Sequence, residues 1–294
     1  MTQIIVVNKP AGMTSQAVDT RIKRILQVKH VGHLGTLDPL ATGVLVVMTD
    51  SATKLASFME NDDKAYLATI CFGLKTDTLD ITGHPIDTLP KPCIDLNKFD
   101  EVLTSFKGEI KQVPPQYSAL KVNGKKMYEY ARKGITVDIP ERIITIYDIN
   151  RTSEIRSDEQ YLYVDFEVHC SKGTYVRTLI DDIGNRLGIP CCMSGLTRIK
   201  SGKFSLADSA TLEDIEKGEY KYFKMQDALS IPIIAISDEV YKKVSNGMKL
   251  SPKTFDETYD MVGLTYHDTL VAVYQYVTTD IKGYHPIRVW NELK

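Results

Sequence analysis

Residues 32–43 read Gly32-His33-Leu34-Gly35-Thr36-Leu37-Asp38-Pro39-Leu40-Ala41-Thr42-Gly43. They carry one carboxylate, one imidazole and two threonine hydroxyls. Pro39 biases Asp38 away from helical backbone and fixes the next φ angle. Glycines let the chain turn sharply or approach a ligand closely. The result is a stiff loop presenting a single acid. A lone Asp-Pro is ordinarily a turn between two elements, but a solvated turn has no need of the apolar residues found here. Carboxylate-pair glycoside hydrolysis needs a second acid roughly 5–10 Å away, and no paired acidic motif stands beside Asp38. The chain also shows no clustered His/Cys metal set and no Gly-rich phosphate loop.

The elements around this loop are those that position it. Residues 4–7 form a short apolar strand, and Lys9-Pro10-Ala11-Gly12 then leads to Thr14-Ser15, which caps a helix bearing Val18, Ile22, Ile25 and Leu26. Residues 44–48 form a buried strand, followed by a helix capped near Asp50 or Ser51. Residues 64–72 form a strand rich in β-formers, with Tyr66 near its start, where a side chain can reach a cleft at the sheet's end. Residues 85–92, with three prolines, form a linker, and residues 95–106 a short helix. Residues 143–150 and 161–170 pair as strands, the second alternating cleanly with Leu162, Val164, Phe166 and Val168 on one face. Thr174 caps a helix that Gly188 and Pro190 stop. Residues 207–230 return as helix, and a β-rich tail starts near Pro232.

Arg177 lies in the first turn of the helix after Thr174, where the macrodipole disfavours a cation by roughly 0.3–1 kcal/mol. A compensating partner is expected. Asp181, four residues on, is the ordinary choice; Asp38 is the other.

Composition bounds the class. The chain has 294 residues, 43% hydrophobic and 25% charged, ordinary for a globular protein. No apolar run approaches the roughly 20 residues needed to span a bilayer. The N-terminus reads as a strand rather than a signal peptide. Five cysteines without a C-x-x-C pair fit a reducing cytosol, so a cytoplasmic protein is expected. A net charge of −2 is unusual for a nucleic-acid binder, so local distribution must matter. Residues 121–134, with Lys121, Lys125, Lys126, Arg132 and Lys133 among tyrosines, suit a surface that meets phosphates and bases.

The stretch from Gly32 to Gly43 resembles the catalytic motif of the TruB family, the stand-alone bacterial tRNA pseudouridine-55 synthases. Further segments resemble that family: Lys9-Pro10-x-Gly12, Lys64-x-Tyr66, residues 73–83 with Asp80, Pro114-Pro115-Gln116-Tyr117-Ser118-Ala119-Leu120-Lys121, residues 170–182 and Gly195-Leu196-Thr197-Arg198. The resemblance implies an α+β fold: a catalytic domain with a mixed, largely antiparallel sheet flanked by helices (1–231, with a thumb insertion about 114–142), and a small β-rich, PUA-like C-terminal domain (232–294). It implies isomerisation of uridine 55 in the tRNA T-arm loop by base flipping, without cofactor or metal. The expected working form is a monomer with no obligate protein partner and no membrane. The resemblance places the catalytic aspartate on Asp38, its arginine partner on Arg177 and the base-stacking tyrosine on Tyr66. His33, Tyr175, Asp80 and Leu196 become substrate-binding positions, with Lys121, Lys125, Lys126 and Arg132 on the thumb. Lys9 is assigned a supporting role.

Two other classes share parts of this pattern. An RNA-binding or RNA-folding protein without essential catalysis explains the basic thumb and the tail, but not the set Asp38, Tyr66 and Arg177. A pseudouridine synthase with another RNA target would share Asn-Lys-Pro, but families acting on ribosomal RNA carry Arg-Leu-Asp in place of the motif around Asp38. Guide-RNA-dependent relatives, which work in a multi-protein particle, share more of it.

Overall fold

The structure, a computed structural model, describes the chain apart from Asn61, Ala119, Asn123, residues 132–134, Thr136, Asp280 and residues 291–294, together with the side chains of Lys121, Val122, Lys125, Lys126, Tyr128 and Ala131. The expectations for Lys121, Lys125, Lys126, Arg132 and Lys133 therefore lie outside the described residues.

One 11-stranded sheet organises the N-terminal part of the chain. Its main path runs Tyr222–Phe223, Ile4–Lys9, Thr42–Thr49, Cys191–Ser201, Lys64–Phe72, Leu162–Cys170, Arg142–Arg151 and Gly108–Gln112. Along it, among the described residues, only Thr42–Thr49 and Cys191–Ser201 pair in parallel, through Thr197 with Thr42 and Arg198 with Gly43. That junction is where the Asp38 loop enters the sheet. A mixed, mainly antiparallel sheet with flanking helices is thus the observed architecture.

Burial follows the period-2 pattern of the strands. Ile5, Val7, Leu45 and Val47 face the helices Ser15–Leu26 and Leu212–Lys217 through Val18, Ile22, Leu212 and Ile215. Tyr66, Ala68, Ile70, Phe72, Val164, Phe166 and Val168 pack on the helices Leu96–Thr104 and Val176–Leu187. The other face of the first strands, Ile4, Val6, Val44, Val46 and Met48, meets Leu270, Val273 and Trp290 of the C-terminal part. That part is a four-stranded sheet of Ile233–Ala235, Met261–Tyr266, Thr269–Val277 and Gly283–Val289. It has a core of its own around Tyr274 and Tyr284.

Several local expectations change. Residues 85–92 are not simply a linker: Pro85–Thr88 pairs with Leu74–Thr76, because the turn between them closes on Asp80. Thr174 does not cap its helix. Tyr175 occupies the N-cap position and Thr174 donates to the Ser171 carbonyl at 2.9 Å. The return through 207–230 is α-helical only at Leu212–Lys217 and Met225–Ala228, and Tyr222–Phe223 adds an edge strand instead. The tail is β-rich as expected, and it also carries a helix, Asp238–Val244, capped by Ser237. Among the described residues no helix is long and apolar enough to cross a membrane.

Candidate active site

The Asp38 loop is held from beneath by its own chain. Lys9 is fully buried, and its Nζ donates to the carbonyls of Ala41 at 2.6 Å, Pro10 at 2.8 Å and Pro39 at 3.3 Å. Burial lowers its pKa to about 8, against the pull of Asp38. The supporting role expected for Lys9 is therefore seen as a cation tying both sides of the loop. Ser15 Oγ accepts from Leu37 N at 2.9 Å and donates to Leu37 O at 3.1 Å. Of the motif glycines, Gly43 is the most tightly constrained. Its φ is +95°, and a Cβ there would lie 2.3 Å from the Arg198 carbonyl oxygen, which leaves no room for a side chain.

Arg177 reaches Asp38 with two prongs. Its Nε lies 2.9 Å from Oδ2, and its Nη2 donates to Oδ1 at 3.2 Å. The remaining donors go to the carbonyls of Tyr117 (2.9 Å, from Nη2) and Thr78 (3.0 Å, from Nη1). The expected compensation for a cation at this helix start is thus Asp38 and two carbonyls. Asp181 pairs elsewhere, with Lys75 at 2.6 Å. The helix end itself is set by Gln112, buried, whose Oε1 accepts from Tyr175 N at 2.8 Å and whose Nε2 donates to Tyr175 O at 3.1 Å. This amide clamp replaces a side-chain cap.

Asp80 stands behind Arg177, with Oδ2 3.9 Å from Nη1. Its other oxygen accepts from Thr78 Oγ1 at 3.0 Å, Thr82 N at 3.0 Å and Thr82 Oγ1 at 2.5 Å. Asp80 is buried and outside the lining of the cleft. It contributes charge to the Arg177 side rather than a surface.

A cleft of about 470 Å³ opens over this pair, within the range of small-ligand sites. Asp38, Tyr66, Tyr175, Arg177, Leu196 and Arg198 line it. The structure thus brings together Asp38, Tyr66, Tyr175, Arg177 and Leu196 from stretches far apart in the chain. His33 sits outside the lining: its Nδ1 is 2.7 Å from Asp19 Oδ2, and its Nε2 3.2 Å from Thr36 Oγ1.

Burial governs the ionisation of these groups. It pushes the Asp38 carboxyl above its ordinary value; Arg177 pulls the other way and Asp80 adds to the rise. Arg177 does favour the charged form, as expected from the pair alone, but desolvation outweighs it. Tyr66 is likewise pushed up by burial, with Arg198 the main opposing charge. Lys64, also on the lining, is lowered by burial.

Sequence reasoning missed Gln112, the burial of Arg198 and the place of Lys64 on the lining. Gln112 ends a strand and carries no motif. Lys64 precedes Tyr66 by two residues, so period 2 puts both on one face, a signal present in the sequence. Among the described residues no group of His, Cys, Asp or Glu could hold a metal. The cysteines are free, with Cys71, Cys170, Cys191 and Cys192 buried.

Known proteins are similar to this chain in sequence and fold. A model of the TruB family pseudouridylate synthase N-terminal domain matches residues 23–176. A model of the tRNA pseudouridylate synthase B C-terminal domain matches residues 177–232. The tRNA pseudouridine synthase B of Staphylococcus haemolyticus (strain JCSC1435) is 44% identical over 267 residues, 87% of this chain and 88% of the relative. That of Halalkalibacterium halodurans is 42% identical over 284 residues, 94% and 93% of the two chains. Among solved structures, a chain of a Cbf5-Nop10-Gar1 complex superposes with a TM-score of 0.71 at 26% identity, covering 98% of this chain and 84% of its own. The chain belongs to the TruB family of pseudouridylate synthases.

Proposed function

We propose that this chain is a tRNA pseudouridine synthase that isomerises uridine 55 in the T-arm loop. The observation that carries the reading is the two-pronged Asp38–Arg177 pair at the floor of a cleft walled by Tyr66. The relatives' names supply the substrate class: both carry tRNA in their names. The uridine must leave the stack to be reached, and the cleft is large enough to admit it.

The reaction cleaves N1–C1′, turns the uracil and joins C5 to C1′. Asp38 acts at the sugar, where either attack on C1′ or removal of a sugar proton requires the ionised carboxylate. Arg177 aims that carboxylate with its planar fork and favours its charge. Tyr66 offers a ring face to the loose uracil and a hydroxyl toward C5. Tyr175 and Leu196 wall the base, and His33, at the neighbouring strand, takes the space the flipped base leaves. Asp80 steadies Arg177 from behind. No cofactor is called for by this chemistry.

The chain divides, in this reading, into a catalytic domain over 1–231, with a thumb at about 114–142, and a small C-terminal RNA-contacting domain over 232–294. Lys121, Lys125, Lys126 and Arg132 meet tRNA phosphates. The protein works as a monomer in the cytoplasm with tRNA as its partner. Incubating the purified chain alone with a tRNA transcript and mapping pseudouridine tests this. Pseudouridine at position 55 alone is expected. Pseudouridine elsewhere would reassign the target, and none at all would favour a binding protein.

A further inference from the structure

Arg198 is the largest of the fully buried side chains, 1% exposed. A guanidinium does not shed its proton in proteins, so burying it is costly unless opposite charge or full hydrogen bonding offsets the loss of water. Among the described residues its hydrogen-bond acceptors are the Val44 carbonyl (2.7 Å from Nε) and the Leu34 carbonyl (3.4 Å from Nη2), and its charge acts on the Tyr66 hydroxyl. No carboxylate lies within ion-pair distance of it there. Two further cations crowd it, since Lys9 and Lys64 are each disfavoured by its charge. The cleft floor thus holds a buried positive excess that a purely structural tie between two strand carbonyls would not need.

The register explains why the guanidinium meets Tyr66. Arg198 and Tyr66 are directly opposite on neighbouring antiparallel strands, so their side chains share a face. A register shift between Arg198 and Lys200 follows at once, and such irregularities re-aim side chains beside functional sites. Gly35 leaves room: a Cβ there would lie 3.0 Å from Arg198 Nη1.

We propose that Arg198 is a positioning residue for the isomerisation, holding the Tyr66 hydroxyl at the cleft wall and supplying the charge that lets this oxygen accept the proton leaving C5. The inference rests on the reading of the chain as a pseudouridine synthase. Once C5 has joined C1′, C5 still bears its hydrogen. Burial favours the neutral phenol, so Tyr66 acts once its hydroxyl proton has passed to water, and the proton on C5 then passes to the oxygen so exposed. The C5–H electron pair becomes the C5=C6 bond, and the former C6=N1 pair moves to N1, which takes a proton from water. The hydroxide so formed neutralises the proton that Tyr66 first released, and Tyr66 ends as the neutral phenol. The groups facing Tyr66 are Arg198 across the strand pair, Cys170 on the other side and Asp38 from the loop. Arg198 is the cation among them, so it is the group that favours the phenolate.

The test is a double-mutant cycle on turnover of tRNA, with Arg198→Met, Arg198→Lys and Tyr66→Phe, each checked for folding by thermal melting. Arg198→Met should lower kcat about a hundredfold with KM within about threefold, and should move the rising limb of the pH–rate profile about one pH unit higher. Arg198→Lys keeps a cation and should recover about tenfold of that loss. In the Tyr66→Phe background either change should cost less than about threefold. Equal losses in both backgrounds, or an unmoved limb, overturn the proposal. If Arg198→Met does not fold, Arg198→Lys carries the same cycle, and an additive loss or no loss overturns it. Wild type making pseudouridine while the cycle is additive refutes Arg198 alone; wild type making none refutes the function.

Discussion

Replacing Arg177 with lysine keeps the charge and removes the fork. The guanidinium holds both Asp38 oxygens, at 2.9 and 3.2 Å, and the carbonyls of Tyr117 and Thr78, at 2.9 and 3.0 Å. An ammonium at that depth can engage one carboxylate oxygen and one carbonyl. One buried carbonyl is then left without a charged donor, at about 1–3 kcal/mol of stability. The Asp38 carboxylate, pinned at one oxygen, is free to rotate. A misplacement of about 1 Å costs roughly a hundredfold, so kcat should fall by about 10²–10³, equivalent to about 3–4 kcal/mol of barrier. Single-turnover tritium release from C5-labelled uridine in tRNA measures the rate, and a melt separates misfolding from misplacement. The acid limb of the profile gives a second reading. Burial raises Asp38 and Arg177 opposes that rise, and activity needs the ionised form. Arg177→Met should therefore move the acid limb to higher pH, while Arg177→Lys moves it less. Turnover by Arg177→Lys within about threefold of wild type would refute the role of the fork.

Gly43→Ala puts a Cβ 2.3 Å from the Arg198 carbonyl oxygen at a φ of +95°. It should destabilise the fold by at least about 2 kcal/mol, read by urea unfolding, whereas Gly32→Ala, whose Cβ would meet only Thr53 at 3.8 Å, should cost little. Asp182 is pushed up to about 6 by burial and the neighbouring Asp181. The folded form then binds an extra proton between 3.8 and about 6, so ionising Asp182 costs stability as pH rises through that window, and the cost is complete at neutral pH. Asp182→Asn should stabilise by about 1 kcal/mol at neutral pH, the full conversion of roughly 3 kcal/mol being reduced by partial exposure, and by nothing near pH 4; equal stability at neutral pH would contradict this. Neutralising Lys121, Lys125 and Lys126 together should weaken tRNA binding and flatten the slope of log affinity against log salt by roughly 0.7–0.9 for each phosphate no longer neutralised; an unchanged slope removes the thumb from the interface.

Asp38, Tyr66, Tyr175 and Leu196 were legible through the family resemblance, and Arg177 also through a conflict with its local setting. Arg177 at a helix start demanded a partner, and the structure supplies Asp38. The alternation through residues 162–168 read directly as one buried face. What escaped was long-range. Gln112 acts on a helix 63 residues later, and nothing near it in the chain signals a clamp. The buried state of Arg198 depends on carbonyls 154 and 164 residues away. The cap expected at residue 174 falls one residue later because the Gln112 amide outcompetes Thr174 for the helix end. The helix Asp238–Val244 was readable and missed: Ser237 caps it, Asp238 and Glu239 open it, and Lys242 and Lys243 close it. The net effect of burial on Asp38 does not follow from pairwise reasoning, because desolvation is a property of the folded cleft.

The central claim is that Asp38 carries the chemistry and not the binding. Asp38→Asn is nearly isosteric, and Lys9, Ser15 and Pro39 hold the loop without its charge. It removes the carboxylate that the two prongs of Arg177 hold. It also removes a negative charge from a site that receives a polyanion. The direct measurement pairs a tRNA-binding titration with tritium release from C5-labelled uridine, for wild type and Asp38→Asn. Binding within about tenfold, or roughly 1.4 kcal/mol, and no release by the variant is the predicted result. Substantial release by Asp38→Asn would place the chemistry on another residue.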